Sequence, residues 1–450
     1  MDNDLYNINP KEFKILDRQE YDQNVQYVLE AVSKPTECPV CGSDNFIGKG
    51  VNPRKARDMN EYDKLVGLIV NTHRYVCKNC GNTWSDTFES LPPNAKITKR
   101  LRDYIRDRAL YVPFSDIKRD IDISVSTVKR IFHDHVEELD DKHEIIAPEV
   151  LGLDETMLQS KYRGMYVDIK GGRIIDMTED RKKQTVVKWL NNLPQKERIK
   201  CVTIDMWGDY KDAVQAVLPR VPIVVDKFHV FEHIYKDFND IRIRLSKNLT
   251  SKEKAIIKGN WRLLSYNAVN LDFKGQQKLK EILDNIPIFK EPHSIKENFA
   301  DIYNARTRKE GEYLFEEWVK RASQYEEFTD SIAMIYRWHE YIFNWYDHNV
   351  TNATTEALNR LAKEIAVKGR GYTYDVLKAK ILYGTTAAKP AKFEYRPVKG
   401  NVVGFTSKKN RYEIGYASMW RHDDNEKVIV AVPGVDIEEI IQVITREGKL

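Results

Sequence analysis

Four of the five cysteines stand in two knuckles, Cys38-Pro-Val-Cys41-Gly and Cys77-Lys-Asn-Cys80-Gly, which restrict the fold more tightly than any other local feature of the chain. Each knuckle sets two thiolates on a tight turn, and the glycine after it lets the backbone fold round an ion. Four thiolates satisfy the tetrahedral preference of zinc. A redox Cys-x-x-Cys site uses one pair. With four cysteines in two pairs and the fifth, Cys201, alone in an apolar stretch, the distribution suits a metal site in a reducing compartment better than a disulfide framework. Residues 36–93, with short β-prone runs broken by Gly, Pro and Asn, therefore read as a zinc ribbon, a small sheet held by Cys38, Cys41, Cys77 and Cys80. The long separation between the knuckles predicts an extended loop from Val51 to Asn71. Arg54, Lys55 and Arg57 on it either touch phosphate or form a solvated basic loop. Residues 1–35 read as one or two short polar-faced helices without identifiable chemistry.

With 450 residues, 42% of them hydrophobic, the chain has room for several domains and at least one large core, which excludes a disordered or fibrous protein. Basic and acidic residues nearly balance, 72 against 68, so net charge by itself does not argue for a nucleic-acid partner. The clustering of Lys and Arg between Ala95 and His135 is more telling. The N-terminus has no basic segment followed by an apolar one, and no apolar run approaches the roughly 20 residues of a membrane span. A cytoplasmic protein without a membrane partner is expected.

Residues 94–145 show apolar positions at helical spacing in three segments, with breaks near Val112 to Pro113 and near Asp122 to Ser124. This is the pattern of a helix-turn-helix. Ser124 is placed to cap the third helix, Val125, Val128 and Ile131 or Phe132 face the core, and Ser126, Thr127, Lys129 and Arg130 project outward towards base edges or phosphates. A plain three-helix bundle with a basic solvated face has the same pattern, and the neighbouring ribbon tips the balance towards DNA. From Val150 the runs LGLDET, MYVDIK and GRIIDMT read as strands, Lys183 to Asn192 as a helix, and CVTIDM and IVVDKFHVF as further strands. Three strands, helix, strand, helix, strand is the order of a ribonuclease H-like α/β sheet. The expected architecture is thus multidomain α/β: zinc ribbon, helix-turn-helix, and a ribonuclease H-like core opening over 146–230. An all-helical insertion over 231–350 interrupts that core, a last part carries a helix over 351–388, and a C-terminal extension occupies 389–450.

Asp154 and Asp205 sit at the ends of apolar strands, where a sheet holds carboxylates rigidly side by side, and Glu356 lies on a later helix. Hard divalent cations need oxygen ligands, and two of them about 4 Å apart activate a water and steady a leaving 3′ oxygen. Three converging carboxylates suffice for that chemistry. Glu155 is expected on the opposite face of its strand by alternation. Trp207 and Tyr210 either stack on a base or pack the sheet, packing being favoured.

The knuckles, the helix-turn-helix, LGLDE, VTIDMWGDY, VVDKFHVF, and TNATTEALN followed by KGRGY together resemble the ISL3 family of bacterial insertion-sequence transposases of the DDE class, over nearly the whole length to about Gly384. The resemblance implies Asp154, Asp205 and Glu356 as catalytic ligands of two Mg²⁺ ions, beside a structural Zn²⁺. It assigns Asp226 and His229 a supporting place in the active site. Lys368 and Arg370 fall where a basic loop contacts DNA. The implied activity is binding of double-stranded DNA at the terminal inverted repeats, metal-dependent strand cleavage and transfer to target DNA, by a homodimer or higher assembly. The alternatives are a transposase-derived DNA-binding regulator without catalysis, and a nuclease without strand transfer.

Overall fold

The computed structural model describes residues 9–386. They divide into two compact units, one of residues up to Glu144 together with Glu364–Thr385, the other running from Ile145 to Lys363.

The first unit begins with strands. β1 (Phe13–Glu20) pairs antiparallel with β2 (Asn24–Ala31), which runs parallel to β4 (Lys64–Cys77). β4 pairs antiparallel with β3 (Phe46–Glu61), and the short β5 (Thr83–Ser85) joins the far end of β4. The helices expected within residues 1–35 are therefore strands where the chain is described. The cause is visible in NVQYVLEA, where Val25, Tyr27 and Leu29 alternate inward and bury against Val66, Leu68 and Val70 of β4. The loop expected from Val51 to Asn71 is also replaced, because β3 and β4 continue as a long hairpin that turns at Tyr62. Arg54 donates to the carbonyls of Pro92 and Ala95, and Arg57 to those of Val66 and Ile121, so both tie the hairpin to its own unit.

α1 (Lys99–Tyr111), α2 (Phe114–Ile121) and α3 (Val125–Asp140) follow with the breaks the sequence marks. Asp122 closes α2 in the left-handed conformation at φ 50°, and Ser124 caps α3 by accepting from the Thr127 N–H. Their core joins Leu101, Ile105, Phe114, Ile117, Val128, Ile131 and Phe132. The helix Tyr374–Thr386 adds Val376 and Ala379 to this core, so the block expected over 351–388 is divided and its end counts with the helix-turn-helix. Buried Lys380 on that helix donates to the carbonyls of Ala109 and Val112, which the end of α1 leaves without helical partners.

The second unit is built on a five-stranded sheet. β6 (Val150–Leu158), β7 (Lys161–Asp168) and β8 (Arg173–Thr178) form an antiparallel meander. After α4 (Lys183–Asn192), β9 (Cys201–Ile204) lies parallel to β6. After α5 (Gly208–Val217), β10 (Ile223–Val225) lies parallel to β9, giving the order β10-β9-β6-β7-β8. β9 and β10 are buried throughout, as parallel strands covered on both faces must be, although β10 is the last strand of the sheet. From α6 (Lys227–Lys247) to His348 the chain is helical, packed through edge-to-face aromatic pairs such as Phe299 on Phe231 and on Trp318. The helix Ala353–Gly369 then returns to the sheet through its first turns. Among the described residues no helix is long and apolar enough to cross a membrane.

Candidate active site and metal centre

The two knuckles meet at the zinc-ribbon end of the β3–β4 hairpin. One Sγ atom from each of Cys38, Cys41, Cys77 and Cys80 lies within 4.8 Å of the others, with Cys38 to Cys80 at 3.7 Å and Cys41 to Cys77 at 3.6 Å. Zinc–sulfur bonds of about 2.3 Å in a tetrahedron place sulfurs roughly 3.8 Å apart, so the donor set fits zinc in number, chemistry and spacing. Gly42 and Gly81 adopt positive φ, 68° and 72°, each in the residue after a knuckle's second cysteine. Cys201 is buried in β9, and burial pushes its thiol up to about 12, as expected of an inert core residue.

On α3, Ser126, Lys129 and Arg130 are exposed, while Thr127 is half-buried. The hydroxyls of Ser126 and Thr127 lie within hydrogen-bond distance of Ser124 Oγ, so part of their bonding capacity goes to the helix cap. Lys368 and Arg370 are likewise exposed, and Arg370 has a left-handed backbone at φ 48°.

A second cluster forms in the other unit. β6 pairs with β9 only from Val150 to Gly152, so Asp154 and Glu155 run on past the point where β9 ends at Ile204, with Asp205 the next residue. One carboxylate oxygen from each of Asp154, Glu155 and Asp205 lies within 4.8 Å of the others. The expected turning away of Glu155 does not occur. Its carboxylate reaches the other two and pairs with Arg181. Glu356 is not one of these three. Its helix nevertheless reaches the cluster: Asn359, one turn further along, donates from Nδ2 to Asp154 Oδ2 at 2.8 Å. Gly152 makes this approach possible, since a Cβ there would stand 2.6 Å from Thr355 Oγ1 and 2.7 Å from Ile169 Cδ1.

Burial, reinforced by the Asp205 and Asp226 charges, raises Asp154 to about 7, and burial raises Asp205 also. Such crowding of desolvated oxygen donors is relieved by a hard cation. Burial would lower the pKa of His229, but its contact with Glu232 and the charges of Asp226, Asp154 and Asp205 outweigh that and lift it to about 10. His229 therefore faces the acids as an imidazolium. Asp226 caps α6 through Oδ1, which accepts from the Phe228 N–H, while its buried Oδ2 has no hydrogen-bond partner. Tyr210 is fully packed and donates to the Asp154 carbonyl, whereas Trp207 is 39% exposed.

Sequence reasoning missed Asn359 and Arg181. Asn359 lies three residues beyond Glu356 and so shares its helical face, a readable signal. Arg181 stands in a loop, where no periodicity marks it.

A four-cysteine ribbon, a helix-turn-helix and a carboxylate-bearing α/β unit are the parts of a DNA-binding transposase, and comparison with known families agrees. A transposase model of the ISL3 group matches residues 151–381, just over half of the chain. The zinc-finger of transposase IS204/IS1001/IS1096/IS1165 matches residues 34–80, and the helix-turn-helix domain of transposase family ISL3 matches residues 87–136. The chain belongs to the ISL3 family of transposases. The transposase for insertion sequence element IS1001 of Bordetella parapertussis is 26% identical over 279 residues, covering 60% of this chain and 69% of that protein.

Proposed function

We propose that this protein is a DDE transposase that binds the terminal inverted repeats of its own element, cleaves the DNA there and joins the freed 3′ ends to target DNA. The observation that carries the reading is the meeting of Asp154, within β6, and Asp205, just past the end of the adjacent parallel strand β9, with the Glu356 helix bonded to Asp154 through Asn359. The strand order β10-β9-β6-β7-β8, an antiparallel meander continued by parallel strands, supports a ribonuclease H-like core.

Asp154, Asp205 and Glu356 would hold two Mg²⁺ ions, which supply an activated water or 3′-hydroxyl and stabilise the leaving oxygen. Their oxygens are the hard donors such ions take, and the raised pKa values of Asp154 and Asp205 reflect a site short of positive charge. The chain's own groups do the positioning. Asn359 fixes one oxygen of Asp154, the Trp207 N–H fixes Asp205 Oδ1 at 3.2 Å, and the His229 imidazolium, held with Asp226 at the start of α6, balances the carboxylates. Ser126, Thr127, Lys129 and Arg130 on α3, with Lys368 and Arg370, grip DNA, base contacts giving specificity and phosphate contacts giving salt-dependent affinity. Two or more copies bring the element ends together.

The test incubates the protein with duplexes carrying the inverted repeats that flank its own gene, Mg²⁺ and labelled target DNA. Joined products are expected. Cleavage alone would reduce the protein to a nuclease, and binding alone to a regulator. Asp205→Asn must abolish cleavage and joining while leaving DNA binding intact.

A further inference from the structure

Beside the carboxylates lies a stack of side chains that the chemistry above does not use. The Arg181 guanidinium stands 4.2 Å from the centroid of the Tyr162 ring and 4.2 Å from that of Trp207. Three separate segments contribute, the β6–β7 hairpin, the loop after β8, and the turn after β9. Both rings are open to solvent, Tyr162 at 46% and Trp207 at 39% exposure, and Met157, across the strand pair from Tyr162, is 50% exposed. Arg181 also pairs with Glu155, and Trp207 lies two residues beyond Asp205 and donates its N–H to it. Tyr210, on α5 just beyond, is buried, so of these two aromatics after Asp205 it is Trp207 that is open to a ligand.

From this arrangement we infer that Tyr162, Arg181 and Trp207 form a ledge that holds one unpaired nucleobase of the strand entering the carboxylate site. The inference rests on the transposase reading and deepens it. A base within a duplex is stacked on both neighbours and has no face to offer, so the ledge takes only a nucleotide displaced from the helix. Displacement loses stacking and pairing, and stacking on an aromatic ring offsets that loss. The guanidinium covers one face of Trp207, and the base extends the stack on the other. Arg181 is then within reach of the adjoining backbone, where a phosphodiester competes with Glu155 for its planar donors. Holding the nucleotide beside Asp205 fixes the bond to be cut relative to the carboxylates.

The experiment uses the full chain and duplexes carrying the element's inverted repeat, with 2-aminopurine substituted at each nucleotide around the cleaved bond in turn. Ca²⁺ replaces Mg²⁺ for fluorescence so that the strand stays whole, and Mg²⁺ is used for cleavage. The unaltered protein is expected to change the probe's fluorescence sharply at one position. Trp207→Ala should lose that response and cleave at least ten-fold more slowly, with unchanged retention of DNA in a gel. Trp207→Phe should keep most of both, which separates a stacking role from a packing defect. An abasic nucleotide at the responding position should restore part of the Trp207→Ala rate, because nothing then has to be unstacked. The ledge is refuted if the unaltered protein cleaves while no position responds, or if Trp207→Ala matches it in both assays. Failure of the unaltered protein to cleave at all would instead overturn the transposase reading.

Discussion

Gly152→Ala tests whether the close approach of the Glu356 helix to β6 governs both stability and chemistry. The added methyl would sit 2.6 Å from Thr355 Oγ1, about 0.8 Å inside ordinary contact at 3.4 Å, and 2.7 Å from Ile169 Cδ1. Ile169 can swing its terminal methyl aside. Thr355 cannot, because it is fully buried in the first turn of the helix and Asn352 beside it is bonded to Thr203. The helix must therefore lift by a large fraction of an ångström, carrying Glu356 and Asn359 away from Asp154. Overpacking of this kind costs about 1–3 kcal/mol, and a displacement near 1 Å at a catalytic group costs about 10²-fold in rate. Urea unfolding followed by tryptophan fluorescence, alongside cleavage of a labelled element end, measures the two effects. Thr355→Ala in the same chain should recover much of both losses, since it removes the atom that is struck. Ile169→Val should recover little of either, since Ile169 already yields and is not on the helix. Cleavage by Gly152→Ala within two-fold of the unaltered protein would refute the argument, as would a failure of Thr355→Ala to rescue.

The other predictions concern separate parts of the chain. Cys77→Ser should abolish zinc retention and, with it, the fold of the ribbon, because structural zinc binding contributes about 10 kcal/mol or more to such modules; metal analysis and hydrogen exchange across β3 and β4 report it. Lys129→Ala and Arg130→Ala should each weaken binding to the inverted repeat, and whichever side chain contacts phosphate should lower the slope of log affinity against log salt by about 1. Lys380→Met should change the pH dependence of stability. Burial pulls the Lys380 amine down to about 7 in the folded chain from 10.5 when exposed, so the unfolded chain binds more protons between those values and stability rises with pH across that window. The substitution should flatten the rise in urea midpoints between pH 7 and 10, and an unchanged slope would show that Lys380 is not the group responsible.

What was legible in the sequence followed from how local the cause was. The knuckles announce themselves because two turns and four thiolates need nothing from the rest of the chain, and Ser124 is recognisable as a cap because its partner, the Thr127 N–H, is three residues away. α4 is bounded at Lys183 and Asn192, where its sequence pattern placed it, because a single amphipathic stripe determines both ends. β1 and β2 were mistaken for helices because their charged residues mask a two-residue alternation whose meaning depends on β4, some forty residues later. The Tyr374–Thr386 helix is apolar on most of its sides, and nothing local says which core Val376 and Ala379 will enter.

The carboxylate site shows the same division between strand logic and three-dimensional circumstance. Alternation sends successive side chains to opposite faces, and on that rule Glu155 has no place near Asp205. The rule fixes only where each Cβ points, and β6 keeps its regular pairing to β7 through Asp154 and Glu155, so it does not limit how far a longer side chain reaches. What brings the carboxylate of Glu155 near Asp154 and Asp205 is therefore the reach of its longer side chain, which alternation does not encode. Arg181 then holds it there. A phosphodiester that draws Arg181 off releases the carboxylate of Glu155 as substrate arrives, so the acids seen grouped in the free protein and the acids that act on DNA need not be the same three. On this reasoning Glu155→Gln should spare most of the cleavage that Glu356→Gln removes. A Glu155→Gln protein as inert as Glu356→Gln would place Glu155 among the working ligands instead.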